Sequence, residues 1–141
     1  MWRRGAAVPP ATYMSAADIA KGLSTAIATD AAAGAAVTIV PGVVVRRRSG
    51  GGEPQSAVVH PFSAETYYIV DGIGTLVTGG TLEMPLSPST DPDVVRSKAI
   101  KGGVTRKVGK GDVIVVPPGT AHWFEAIDGT ITYLESRVRV K

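Results

Sequence analysis

His60 and His122 are the only imidazoles in a chain of 141 residues that contains no cysteine. A disulfide framework and a thiolate site are therefore both excluded, and any metal must be held by nitrogen and oxygen. Glu65 follows His60 by five positions and leads into Thr66-Tyr67-Tyr68-Ile69-Val70, the most β-prone run of the chain. Alternate strand positions share a face, so Glu65 is expected to point inward with Tyr67 and Ile69. A carboxylate on an apolar face is costly to bury unless a cation offsets it, and a metal ion suits that role. Two imidazoles and one carboxylate fit iron, manganese, nickel, cobalt or zinc and leave coordination positions open. Taken alone, the three residues also admit an ordinary reading, as two structural histidines and a solvated glutamate.

The elements that must position these residues are short. Ser15-Ala16-Ala17-Asp18 resembles a capping box, and Ile19, Leu23 and Ile27 form a stripe, so one amphipathic helix is expected, ending in Ala31 to Gly34. Nine strands are expected after it: Ala36 to Val40, Val43 to Arg47, Ala57 to His60, Thr66 to Asp71, Gly74 to Thr78, Val104 to Val108, Asp112 to Val116, His122 to Ala126 and Thr130 to Val140. Pro41-Gly42, Gly50 to Gly52, Asp71-Gly72, Gly79-Gly80, Gly109 to Gly111, Pro117 to Gly119 and Asp128-Gly129 read as the turns between them. Many short strands with regular turns indicate an all-β sandwich or barrel. Between Thr81 and Gly103 the chain is proline-rich and poor in strand signals, which suggests either a lid or a mobile surface excursion.

Composition narrows the class. Hydrophobic residues make up 44% and charged ones 19%, consistent with one globular core and inconsistent with disorder. The net charge is +3, but the basic residues are dispersed except for Arg46, Arg47 and Arg48, which read as a solvated strand end rather than a nucleic-acid surface. No nucleic-acid partner is expected. Met1-Trp2-Arg3-Arg4 is followed by an apolar stretch that stops at Pro9-Pro10, too short for a signal peptide, and nothing later reaches the ~20 apolar residues of a membrane span. A cytoplasmic protein with no membrane association is the expectation.

His60-Pro61-Phe62-Ser63-Ala64-Glu65, with six residues then leading to Gly72, resembles the second half of the first cupin motif, G-x5-H-x-H-x3/4-E-x6-G. Gly111, Pro117, Gly119 and His122 resemble the second, G-x5-P-x-G-x2-H, at every fixed position up to the histidine. The similarity covers roughly Val43 to Val138 and implies a double-stranded β-helix, or jelly-roll barrel: a short-helix extension over 1–35 and the barrel over 36–141. It also implies one divalent metal ion held by His60, Glu65 and His122. The chain departs from the pattern two residues before His60, where a histidine is usual and Val58 stands. Gln55 or water could fill that place. The motif's usual final asparagine is also absent.

By alternation Tyr67, Ile69 and Phe124 should line the interior. Ile69 and Phe124 read as core, and Tyr67 as the group able to bind or protonate a substrate oxygen. Trp123 should face outward, into helix packing or a dimer contact. The resemblance implies a metal-dependent enzyme acting on a small molecule, of dioxygenase, isomerase, decarboxylase or lyase type, and a homodimer joined through an edge strand or the N-terminal segment. The alternative is a non-catalytic module that binds or senses a small molecule. A metal-free epimerase of this fold would need a histidine that the metal motif does not already claim.

Overall fold

The computed structural model describes residues 4–26, 34–51 and 55–140. Helix α1 (Ala16–Thr25) opens at Ser15, whose hydroxyl accepts from the backbone N–H of Asp18 at 3.0 Å. It stops at Thr25, earlier than the alanine run suggests; Ile27 and Ala31 to Ala33 lie outside the described residues. Leu23 is buried and Gly22 lies directly against Val37, so α1 packs over the first two strands.

Ten strands follow among the described residues: β1 (Ala35–Val40), β2 (Val43–Ser49), β3 (Ala57–Val59), β4 (Ser63–Thr78), β5 (Thr81–Leu82), β6 (Val95–Ser97), β7 (Ile100–Lys101), β8 (Val104–Gly109), β9 (Val113–Val116) and β10 (His122–Arg139). Two expected turns, Asp71-Gly72 and Asp128-Gly129, are not turns. Each lies inside one long strand, and β4 and β10 pair antiparallel along their whole lengths. The register slips between Asp128 and Ile131, opposite Gly72 and Ile73. Gly72 has φ +88°, and a Cβ there would meet the carbonyl oxygen of Thr130 at 2.1 Å, so only glycine lets the strands approach at this bulge.

The slip bends the β4–β10 ribbon from one sheet into another. One sheet runs β1-β2-β10-β4-β9, using the first half of β4 and the second half of β10. The other runs β6-β3-β10-β4-β8, using the opposite halves. Their inner faces meet in one core, where Ile69, Ile131, Tyr133 and Val116 of the first sheet pack against Leu76, Phe124 and Val108 of the second. Alternation accounts for the partition: Glu65, Tyr67 and Ile69 are buried, while Thr66, Tyr68 and Val70 are exposed.

The stretch from Thr81 to Gly103 is structured rather than a bare excursion. β5 pairs with β7, and β6 pairs with β3. Ile100 and Leu82 join Ala57, Val77, Ala121 and Trp123 in a second apolar cluster on the outside of the second sheet. Trp123 packs against this cluster rather than α1, and it also reaches the wall of the cavity beside His60 and His122; its indole N–H donates to the Gln55 carbonyl at 2.9 Å.

Candidate metal centre

His60 sits just past β3, Glu65 near the start of β4 and His122 at the start of β10. Backbone contacts join the two motif regions. The N–H of Gly119, a residue with φ +80°, donates to the His60 carbonyl at 2.9 Å, and His122 pairs in register with Val58. The bent ribbon then carries Glu65 across to both rings. The ligand-capable atoms of His60, Glu65 and His122 lie within 4.8 Å of one another, so the three residues could hold a metal ion.

The proton arrangement shows what the trio suits. His60 Nδ1 is 2.7 Å from the Asp93 carbonyl and His122 Nδ1 is 3.3 Å from the Thr120 carbonyl. A carbonyl only accepts, so both Nδ1 atoms carry the proton and, in the neutral rings, both Nε2 atoms present lone pairs. Those atoms stand 2.9 and 3.0 Å from Oε1 of Glu65. Oε1 is buried, and neither ring aims an N–H at it well enough to make a hydrogen bond. Two imidazole lone pairs and one carboxylate oxygen facing a common point repel each other unless a cation lies between them, so the residues present fit a metal ion.

Glu65 is 1% exposed, and burial raises its pKa; it is held far below the usual carboxylate range only where the two imidazoles donate N–H to it, the positive role that a bound metal ion would take instead. Burial likewise lowers His60, yet Glu65 and the Asp93 carbonyl raise it on balance. Glu135, two positions beyond Tyr133 on the inner face, is pushed up by burial and by the neighbouring Glu65 carboxylate. Tyr67 is raised well above 10, first by burial and then by the Glu65 charge, so its hydroxyl stays protonated.

A cavity of about 150 Å³ opens on this centre and is lined by His60, His122, Val58, Tyr67, Phe124 and Trp123, with Gln55 and a polar group from β2, β6 and β10. Phe124 therefore lines the site as well as the core. Val58 faces the cavity from the place where the family pattern has a histidine. Gln55 is buried in the wall, and its Oε1 accepts from Arg48 Nη1 at 2.8 Å.

Two features lay beyond the sequence reading. Arg46 and Arg48 are not a solvated strand end: both line the cavity, Arg48 donating from Nε to the Tyr133 hydroxyl at 2.7 Å and Arg46 lying 3.4 Å from Glu135. Alternation on β2, with Arg47 on the opposite face bonded to Thr132, was the available signal. Asp93, from the proline-rich stretch, is 4% exposed; its carboxylate accepts from the Phe62 N–H at 2.7 Å and the Ser63 hydroxyl at 2.5 Å while its carbonyl orients His60. The proline-rich stretch therefore includes a support of the centre.

The sequence profile of the Cupin family matches residues 43–134, well over half of the chain. The chain belongs to the cupin family. Among solved structures it is similar to a predicted oxalate decarboxylase from Thermotoga maritima, at 17% identity and TM-score 0.47, covering 70% of this chain and 65% of that one. It is also similar to a Bacillus halodurans protein, at 14% identity and TM-score 0.48, covering 70% and 62%. An oxalate oxidase structure aligns with 96% of this chain and 70% of its own, at 19% identity and TM-score 0.45. The chain thus spans somewhat under two thirds of the first two. No curated protein matches it. Among the described residues no helix is long and apolar enough to cross a membrane.

Proposed function

We propose that this cupin is a small-molecule metalloenzyme that binds one divalent ion, of iron, manganese, nickel, cobalt or zinc, through His60, Glu65 and His122. The observation that carries the reading is the convergence of two histidines, each with Nδ1 against a backbone carbonyl, on a buried carboxylate oxygen 2.9 and 3.0 Å from their Nε2 atoms. Such an ion, when bound, supplies Lewis acidity at open coordination positions. The chain's own groups set the rest. Asp93 and Thr120 fix the imidazole tautomers, Phe124 and Trp123 narrow the chamber, and Tyr67, stacked edge-on to His122 at 6.0 Å between ring centroids, offers a proton donor to a substrate oxygen.

Elemental analysis of the purified protein tests the metal, and chelation should lower its melting temperature by roughly 8 °C, the equivalent of about 2.7 kcal/mol at a hundredfold excess of ion over Kd. Tyr67→Phe should then lower turnover in a substrate screen while leaving metal content unchanged. Absence of any metal, together with a melting temperature indifferent to chelator, overturns the reading. Metal binding and ligand binding without turnover of any compound would select the non-catalytic module.

A homodimer forms part of the same proposal. Tyr68 pairs with Val113 and Leu134 on the outer face of the first sheet, where Val70, Val115 and Val138 are also exposed. In a two-fold dimer this strip would lie against its own copy and leave water, which makes the sheet face a candidate contact beside an edge strand or the N-terminal segment. Sedimentation as a dimer that Val115→Lys dissociates supports it, and a monomeric wild type rejects it.

A further inference from the structure

We propose that Arg137 is a positioning residue of the metal centre, one that holds the His60 ring in place by bridging the two aspartates of the loop behind it. The inference rests on the proposed metal centre and deepens it. Arg137 lies on β10 opposite Glu65 of β4 in the strand register, and its Nη2 stands 3.9 Å from Asp91 Oδ2 and 3.7 Å from Asp93 Oδ2. Asp93 in turn meets His60 Nδ1 with its carbonyl at 2.7 Å. One side chain therefore ties the strand pair that carries Glu65 to the loop that orients His60.

The bonding of the loop shows what the tether adds. The Asp93 N–H donates to Asp91 Oδ1 at 2.9 Å and the Val94 N–H to the Asp91 carbonyl at 3.0 Å, bonds that hold the turn to itself and not to the barrel. The Asp93 carboxylate reaches the barrel by accepting from the Phe62 N–H and the Ser63 hydroxyl. Both donors are neutral, and a carboxylate only 4% exposed is costly to bury without an opposite charge nearby. Arg137 supplies that charge. Its two ion pairs are longer than hydrogen bonds, so the attraction comes from charge and not from the planar fork of the guanidinium. Lysine should therefore serve in its place, and glutamine should not. His122 is the comparison within the same centre, because its Nδ1 meets the carbonyl of Thr120, in the turn between β9 and β10, which the Arg137 ion pairs do not include.

Zinc titration by calorimetry, together with carbon–proton NMR of the two histidine rings in the metal-free protein, tests the inference. Arg137→Gln should weaken zinc binding about threefold to fivefold, the effect of one part-exposed ion pair. Arg137→Lys should stay within about twofold of the wild type. In the metal-free protein the His60 signals should move in Arg137→Gln by more than those of His122, and return in Arg137→Lys. Asp91→Asn keeps the oxygen that accepts from Asp93 and removes only charge, so it should act in the same direction and add little to Arg137→Gln in the double variant. Should Arg137→Gln fail to fold, Asp91→Asn decides. Wild-type zinc affinity in the folded variants, equal movement of both histidines, or failure of lysine to restore the wild-type values overturns the inference. Zinc binding with an unmoved His60 sinks this inference only, and absence of zinc binding while His60 still follows Arg137 sinks the metal centre and leaves Arg137 as the holder of His60.

Discussion

The β4–β10 ribbon has a bend and two free ends, and the same inward alternation produces opposite results at the two places. At the bend, Ile69, Leu76 and Ile131 turn inward and fill an apolar core. At the ends, which the bend brings face to face, the inward positions are Glu65 on one side and His122 on the other, with Tyr133, Glu135 and Arg137 continuing the row on β10. The bend serves stability and the ends serve chemistry. A polar side chain is tolerable only where partners or water can reach it, and a barrel mouth offers both.

Substitution at the bend should give the largest effect. Ile69→Ala, at a fully buried site, is expected to cost about 4 kcal/mol and to lower the melting temperature by roughly 12 °C, while zinc affinity of the folded fraction is retained. Parallel loss of metal affinity would show that bend and mouth are one cooperative unit. His122→Ala at the mouth should do the reverse. Zinc affinity falls by more than the roughly 100-fold that removing a supporting partner can cost, with chelated stability changed little. Calorimetry of metal-free and zinc-loaded forms separates the two.

Asp93→Asn is expected to cost about 1–2 kcal/mol at neutral pH through its weakened bonds to Phe62 and Ser63. Burial would raise the Asp93 pKa, but the Ser63 and Phe62 hydrogen bonds and Arg137 lower it on balance. A depressed folded pKa contributes stability that is complete above the unfolded value of about 3.9 and is lost as pH falls through the lower folded value. The difference between wild type and variant in urea titrations should therefore be full at pH 7 and close below about pH 4. A gap that stays constant down to pH 2 would remove the carboxylate from the explanation.

The smallest effect is a gain. Val58 pairs with His122 and faces the cavity, so Val58→His should supply a further imidazole and tighten zinc binding by about tenfold, while slowing any reaction that uses the position it fills. Unchanged affinity in a folded variant would mean that the new ring does not reach the ion. Faster turnover with tighter binding would make the valine a defect rather than an adaptation.

Much of this molecule was legible before folding was considered. Period-two alternation placed Glu65 with Tyr67 and Ile69, because facing in a strand is a local property of the backbone. Ser15 as a helix cap and the spaced glycines, proline and histidine of the second motif are equally local. Asp71-Gly72 and Asp128-Gly129 misled for the same reason. Their residues are right for a turn, and only pairing with a partner strand makes each half of a bulge. Asp93 carried no sequence signal of the site, since it takes its place from His60, distant in the chain; alternation pointed to Arg48 and the missing histidine to Gln55, but only the contacts with Tyr133 and Trp123 fix where they stand. What sequence determined by itself was therefore which side chains face inward and that two imidazoles and a carboxylate were available. Tertiary structure alone decided that the ribbon bends, that its ends meet, and that a loop carbonyl fixes the His60 tautomer, because these depend on contacts between segments that no local rule connects.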